Sequence, residues 1–172
     1  MTIYARRVLD DCRLALELLE EEEDLSRWRI HWVAALALVR AVGHVLEKVD
    51  GQNPCIRALA QAAYKRWKSS SPEHAIFREF IERERNTILK EYQFNTHPGD
   101  QVELVLTRAL HRISDGVLLS DTQVVPIGDN IYRPLTGGFR EGDDARDVLS
   151  DAIGWWETEL AAIESGLDQQ RS

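Results

Sequence analysis

Apolar residues recur every three or four positions along most of the chain, a spacing that predicts helices with one buried face. The stretch 26–49 is apolar nearly all round, so we expect this helix in the middle of a bundle, touched by several neighbours. Asn53-Pro54 and Ser71-Pro72 each place a capping side chain before a proline, a common way for helices to begin. The pattern therefore predicts five helices: about 4–19 and 26–49, two that begin near residues 54 and 72, and about 143–166.

One part of the chain breaks this helical spacing. Residues 102–113 fit a helix about as well as a strand, but Asp115-Gly116 lies between apolar runs as a hairpin turn would, and β-branched side chains are frequent in 122–127. We therefore expect a small β insertion at 102–135. The predicted fold class is mostly α, an up-and-down helical bundle of about five helices with a small β insertion, and residues 1–172 are expected to form a single domain.

The charge of the chain narrows the range of partners. A net charge of −8 and a pI near 5.1 argue against tight, non-specific binding to duplex DNA, which depends on neutralising phosphates. Eight lysines and arginines nevertheless fall within residues 57–90. A basic patch that binds RNA or a small anion is therefore compatible with the sequence.

Neither a membrane anchor nor a bound cofactor is predicted. The longest apolar run, 32–45, is interrupted by Arg40 and His44 and is too short to span a bilayer. The first residues lack the apolar core of a signal peptide, so we expect a cytoplasmic protein. Cys12 and Cys55 have neither a metal-binding nor a disulfide spacing, and their apolar surroundings in the sequence predict two buried thiols. We therefore expect no metal ion and no other cofactor.

The polar side chains of the fourth predicted helix are the strongest candidates for a functional site. At about 100° per residue, Asn86 and Lys90 share the face opposite the apolar one with Arg83, a candidate binding residue, and Arg85 lies on the flank. Such a row is ordinarily a solvent-facing surface. Glu84 instead falls within the apolar face, where an unpaired carboxylate would be costly.

Two further features of the sequence point to binding residues. We expect Glu84 to pair with a cation, for which Arg40, Arg29 and His31 are the candidates. Arg40 and His44 also form a polar line along the otherwise apolar second helix. That line is either a satisfied internal cluster or, with Glu84, part of a binding site.

The sequence RNTILKEY at residues 85–92 resembles the R-N-x-x-x-H-x-Y signature of the HEPN superfamily. Arg85, Asn86 and Tyr92 match the signature, and Lys90 occupies the histidine position. The layout is similar too, with an amphipathic first helix, a long second helix, and the motif late in a following helix. The resemblance covers the helical part of the chain, so the β segment would be an insertion.

The resemblance implies a homodimer whose motif helices face each other across a two-fold cleft, and metal-independent RNA cleavage in the active members. The catalytic positions would be Arg85, Asn86, Lys90 and Tyr92, with the arginine on the phosphate and the asparagine fixing the geometry. Lysine titrates far above neutral pH, so Lys90 is a poor general base unless burial or nearby cations lower its pKa. His44 would supply the base if the second helix reaches the cleft.

Three functions are therefore compatible with the sequence. The first is a HEPN-like dimer with a binding or regulatory role, in a toxin–antitoxin or defence setting, that binds RNA, a nucleotide or a protein partner at a degenerate RNA-processing site. The second is an active metal-independent ribonuclease that uses Arg85 and Lys90. The third is an unrelated helical protein-interaction module, in which Trp155, on a second apolar stripe of the last helix, marks the interface.

Overall fold

The structure, a computed structural model, describes residues 1–91, 94–96, 102–111, 118–128 and 132–169. It confirms a mostly α helical bundle with a small β insertion. The described residues form five α-helices: α1 (Ile3–Glu21), α2 (Leu25–Lys48), α3 (Pro54–Trp67), α4 (Arg83–Glu91) and α5 (Ala145–Gln169).

Local side-chain caps explain where two of the helices begin. The Asp24 carboxylate accepts a hydrogen bond of 2.9 Å from the backbone amide of Arg27 and so caps α2. The Asn53 side chain accepts one of 2.9 Å from the amide of Cys55, with Pro54 at the first position of α3. Such caps satisfy amides that have no partner within the helix. The predicted start of α3 is therefore confirmed.

The beginning of α1 is held by residues that are distant in sequence. The backbone amides of Tyr4 and Ala5 both donate to the carboxylate of Asp50, in the turn after α2. The amide and hydroxyl of Thr2 donate to Glu164 near the end of α5, at 3.0 and 2.7 Å. The first turn of α1 is thus attached to two other parts of the bundle.

α2 lies in the middle of the bundle and touches each of the other four α-helices, as its apolar pattern predicted. The rings of Trp28 and Trp32 stack with their centroids 5.6 Å apart. From α5, Nε1 of Trp156 donates to the backbone oxygen of Val39 at 2.8 Å. The seven buried side chains of α2 are Trp28, Trp32, Ala35, Leu36, Val39, Val42 and Leu46.

The segment that leads into α4 has an unusual helical geometry. A single 3₁₀ turn, Pro72–His74, is followed by a π-helical stretch, Ile76–Glu82, which continues directly into α4. A π-helix has more residues per turn than an α-helix and often occurs at functional sites. The fourth helix therefore starts where the Ser71-Pro72 signal predicted, but its first two turns do not follow α-helical spacing.

The β insertion is a pair of antiparallel strands. β1 (Val102–His111) pairs with β2 (Leu118–Gly128), and Thr107 lies opposite Thr122. Over residues 102–111 this confirms the strand interpretation rather than the helical one. The turn predicted at Asp115-Gly116 lies outside the described residues.

By length and apolar content alone, Leu25–Gln52 could cross a bilayer, a test that core helices of soluble proteins also pass.

Cys12 is fully buried as expected, but Cys55 is exposed, so the prediction of two buried thiols was wrong. The buried stripe of α3 begins one position later, at Ile56, which turns Cys55 toward solvent.

Candidate functional site

Arg40 lies where α2 meets the π-helical segment. Its Nη2 is 3.5 Å from Oε1 of Glu82, and its guanidinium lies over the ring of Phe77, 5.9 Å from the centroid. Lys68, just after α3, donates to the other oxygen of Glu82. Glu82 therefore connects α2, the end of α3 and the π-helical segment. Its carboxylate offsets part of the positive charge of Arg40 and Lys68.

His44 lies one helical turn beyond Arg40 on α2 and is exposed. Partial burial, together with the charges of Arg40 and Arg85, lowers the pKa of its imidazole from the ordinary value of 6.5. His44 is therefore neutral at pH 7, with one ring nitrogen free to accept a hydrogen bond or a proton. The charge of Arg85 contributes to this shift, so Arg85 lies within electrostatic range of His44, on a helix that packs against α2. We call these three residues the Arg40–His44–Arg85 cluster.

Arg85 also contacts the next residue of the motif. Its Nη1 donates to Oδ1 of Asn86 at 3.0 Å, and both side chains are half-buried. This hydrogen bond restrains the guanidinium before any ligand arrives. A guanidinium carries five N–H groups, so the contact with Asn86 leaves most of its donors for other acceptors.

The remaining polar residues of the motif line a separate depression. A groove of about 690 Å³ runs between α4 and the Gly137-Gly138 turn, and Arg83, Asn86 and Lys90 lie along it. We call it the α4 groove. Four glutamates and three cations line it, so its charge is mixed rather than positive. Lys90 is exposed there, and its amine is surrounded by both signs of charge.

The candidate residues thus divide between two sides of α4. Arg40 and His44 lie on α2 and the charge of Arg85 acts on His44, whereas Asn86 and Lys90 line the α4 groove. The hydrogen bond from Arg85 to Asn86 connects the two sides. His44, which the sequence offered as an alternative base, therefore lies within electrostatic range of the motif arginine.

Glu84 is buried, with 5% of its surface exposed, but its predicted partners were wrong. Its Oε2 accepts a hydrogen bond of 3.1 Å from Nδ2 of Asn95, while Arg40 is engaged by Glu82. Burial raises the pKa of Glu84, and the hydrogen bonds from Asn95 and the charge of Arg83 offset this only in part. Among the described residues, Oε1 of Glu84 has no hydrogen-bond partner.

The predicted interface residue Trp155 belongs largely to the aromatic core. Its side chain is half-buried, and its ring lies 4.9 to 5.3 Å from the rings of Trp156, Trp67 and Phe77. Much of this side chain therefore packs within the bundle. The last residue of the motif, Tyr92, lies outside the described residues.

Nothing in the sequence indicated the cavity that lies between α2 and α3. It has a volume of about 480 Å³, and Arg40 and His44 form one wall while Tyr64 and Lys65 of α3 form the other. Tyr64 borders this cavity, and 43% of its surface is exposed. The cavity results from the spacing between α2 and α3. The pattern of apolar residues does not indicate that spacing.

The described residues contain no group of three His, Cys, Asp or Glu side chains arranged as metal ligands. The candidate ligand-binding groups are instead the cations and the neutral imidazole of the Arg40–His44–Arg85 cluster, a combination suited to an anion. Comparison of the chain with protein-family models, curated proteins and solved structures finds no match to any of them.

Proposed function

We propose that the protein is a HEPN-like homodimer with a binding or regulatory role, and that the Arg40–His44–Arg85 cluster binds a phosphate of RNA or of a nucleotide. The single observation that carries the proposal is the packing of α4, which bears Arg85, against α2, which bears Arg40 and His44. This packing supports the expectation that His44 stands in for the histidine that the motif lacks.

The chemistry of the cluster suits a phosphate. Arg40 and Arg85 carry permanent charges, and a planar guanidinium can present two parallel N–H groups to phosphate oxygens. His44 adds no charge at pH 7 and so can contact a ribose hydroxyl beside the phosphate. The hydrogen bond to Asn86 restricts the Arg85 side chain before a ligand binds. Less side-chain conformational entropy is therefore lost on binding.

The homodimer is part of the proposal because of the resemblance. In that arrangement two Arg85 side chains face a common cleft, and a polyanion such as RNA would compensate their mutual repulsion. The oligomeric state is measurable independently of binding. Light scattering after size exclusion should give twice the chain mass of 19.7 kDa.

Binding is tested by fluorescence polarisation of a labelled single-stranded RNA with the wild-type protein and Arg85→Gln. We expect Arg85→Gln to weaken binding roughly tenfold, since a hydrogen bond to a charged group contributes about 1.5–3 kcal/mol. Arg7→Gln is the matched control, because Arg7 is an exposed arginine on α1, and the change in net charge is the same. Equal loss in both variants would show a general charge effect and overturn the assigned site, as would absence of RNA binding by the wild type.

One observation favours a second candidate, a metal-independent ribonuclease with His44 as its base. A neutral imidazole on which two guanidinium charges act could take the proton of a ribose 2′-hydroxyl. The 2′ oxygen would attack the adjacent phosphorus, the bond from phosphorus to the 5′ oxygen would break, and that oxygen would leave with a proton. The products would be a 2′,3′-cyclic phosphate and a 5′-hydroxyl.

Cleavage of labelled RNA in EDTA separates the two candidates. For the ribonuclease we expect loss of cleavage in His44→Gln and in Arg85→Ala, with Lys90→Ala less affected because Lys90 lines the α4 groove. Loss in Lys90→Ala with retention in His44→Gln would assign the base role to the motif lysine instead. If the wild-type protein binds RNA without cleaving it, the binding role remains and the ribonuclease is excluded.

A further inference from the structure

The cavity between α2 and α3 has an apolar floor and a polar rim. Trp67, Phe77 and Leu46 line it and are each at most 2% exposed. At the mouth, the exposed side chains include Tyr64 and Lys65. Its volume of about 480 Å³ lies within the range of small-molecule sites, roughly 300–1,000 Å³. Its depth and lining are those of a ligand pocket rather than of a flat contact surface.

The aromatic groups of the cavity favour a flat ring as part of the ligand. The ring of Tyr64 meets those of Trp67 and Phe77 nearly edge-on, with centroids 6.4 and 6.1 Å away. Aromatic rings at such distances and angles attract each other more strongly than the burial of their surface alone would give. Another aromatic ring placed against them would be stabilised in the same way. A flat ring can therefore lie against the exposed part of Tyr64 with its edge directed toward the floor.

The charges at the rim favour an anionic group on the same ligand. Lys65 contributes a positive charge, Arg40 contributes one that Glu82 offsets in part, and His44 is neutral at pH 7. Glu47 is the rim's carboxylate, and its Oε1 is bound by Lys48 at 3.0 Å, which offsets its charge. Lys65 has no ion-pair partner among the described residues, so its amine is available to a ligand.

We infer that this cavity is a binding site for a nucleoside monophosphate, with the base against Tyr64 and the phosphate between Lys65 and Arg40. The site shares Arg40 and His44 with the Arg40–His44–Arg85 cluster, but Tyr64 and Lys65 belong to it alone. A free mononucleotide and a nucleotide within an RNA chain supply the same chemistry. The free nucleotide is the expected ligand, because the floor is enclosed by buried side chains.

Isothermal titration with AMP, adenosine and inorganic phosphate tests this assignment. AMP should bind with one site per chain and more tightly than either adenosine or phosphate alone. Lys65→Gln should weaken AMP binding by roughly fivefold or more and leave adenosine binding unchanged, because only the phosphate contact is lost. Arg7→Gln is the matched control, since Arg7 is an exposed cation on α1 outside the cavity and the change in net charge is the same.

A second variant distinguishes a loss of AMP binding from a loss of folding. Gln61→Glu adds a negative charge at an exposed position of the rim and should weaken AMP binding while thermal unfolding stays at the wild-type temperature. No heat of binding from AMP at millimolar concentration would overturn the inference, as would equal binding by wild type and Lys65→Gln. Loss of AMP binding in Arg85→Gln but not in Lys65→Gln would place the nucleotide in the Arg40–His44–Arg85 cluster instead.

The two proposals can fail separately. If the cavity assignment is right and the RNA assignment wrong, Lys65→Gln loses AMP affinity while Arg85→Gln and Arg7→Gln bind labelled RNA equally. If only the RNA assignment is right, Arg85→Gln loses RNA affinity and AMP does not bind. Binding of RNA that is lost in Lys65→Gln without any binding of AMP would mean that the cavity receives a base of the chain, which overturns the free-nucleotide assignment.

Discussion

The carboxylate of Asp50 accepts a hydrogen bond of 2.8 Å from the backbone amide of Ala5, a residue forty-five positions earlier in the chain. The same carboxylate accepts another, of 3.1 Å, from the amide of Tyr4. Asp50 is 8% exposed and lies at the positive end of the α1 dipole. It serves α1 as a cap that the local sequence does not supply, since Thr2 makes no side-chain cap there.

Asp50→Ala should destabilise the protein by about 1–3 kcal/mol, because it removes a cap and leaves two amides without their acceptor. The measurement is urea unfolding followed by circular dichroism. Asp11→Ala is the control, as Asp11 is an exposed aspartate within α1 and should change stability by less than about 0.5 kcal/mol. Equal midpoints for the two variants would mean that the Asp50 contacts contribute little to stability.

Glu164 should make part of the stability dependent on acid pH. Burial acts to raise its pKa, but hydrogen bonds from Arg6 and Thr2 outweigh burial and lower the pKa of Glu164 from 4.5 to about 2. The folded state therefore holds this carboxyl ionised where the unfolded chain protonates it. The stabilisation is complete above about pH 4.5 and is lost as the pH falls toward 2.

Glu164→Gln should accordingly lower the urea midpoint near neutral pH and lower it much less near pH 2.5. The change removes the ion pair with Arg6 while keeping an acceptor of similar size. Glu17→Gln is the matched control, because Glu17 is an exposed glutamate on α1, and it should show the same small effect at both pH values. A constant difference between Glu164→Gln and wild type across this range would contradict the lowered pKa.

The two cysteines should differ sharply in reactivity. Burial, together with the charge of Asp11, raises the pKa of the Cys12 thiol to about 12, whereas Cys55 is exposed. A thiol-reactive disulfide reagent near pH 8 should modify one thiol per native chain and two in urea, because the thiolate is the reacting form. Cys55→Ser should leave no reactive thiol in the native state. Rapid modification of Cys12 in that variant would show that α1 opens readily.

The electrostatic effect of Arg85 on His44 can be measured without any ligand. Partial burial and the charges of Arg40 and Arg85 lower the pKa of His44, so Arg85→Gln should raise it by removing one cation. Proton NMR titration of the imidazole resonances gives this pKa directly. Arg7→Gln should leave it unchanged, and an equal response to both variants would contradict the electrostatic effect of Arg85 on His44.

Local signals in the sequence accounted for much of the fold. Asn53-Pro54 marked the beginning of α3 because its cap and its proline act within one turn. The all-round apolar pattern of 26–49 correctly predicted a central helix, since each of its faces meets a neighbour. The β-branched residues of 122–127 and the turn signal before them identified the strand pair, which needs only adjacent segments of the chain.

The candidate site was predicted less completely, because its contacts depend on helix packing. The π-helical stretch Ile76–Glu82 departs from α-helical spacing, which the sequence pattern did not indicate, although Glu84 is buried and Lys90 is exposed as a helical wheel of α4 places them. Glu82 at the end of this stretch contacts Arg40 and Lys68, although nothing in the sequence singled it out. The burial of Glu84 was anticipated, but its partner Asn95 lies beyond the end of the same helix.

The attachment of Thr2 to Glu164 has a consequence for synthesis of the chain, because 162 positions separate the two residues. α1 leaves the ribosome before α5, and the acceptor for Thr2 is made only when α5 is nearly complete. At roughly 5–20 residues per second, α1 waits on the order of ten seconds or more for that partner. During that interval the apolar face of the nascent helix has only α2 to cover it, which makes this stage of translation the one at which chaperones would be most needed.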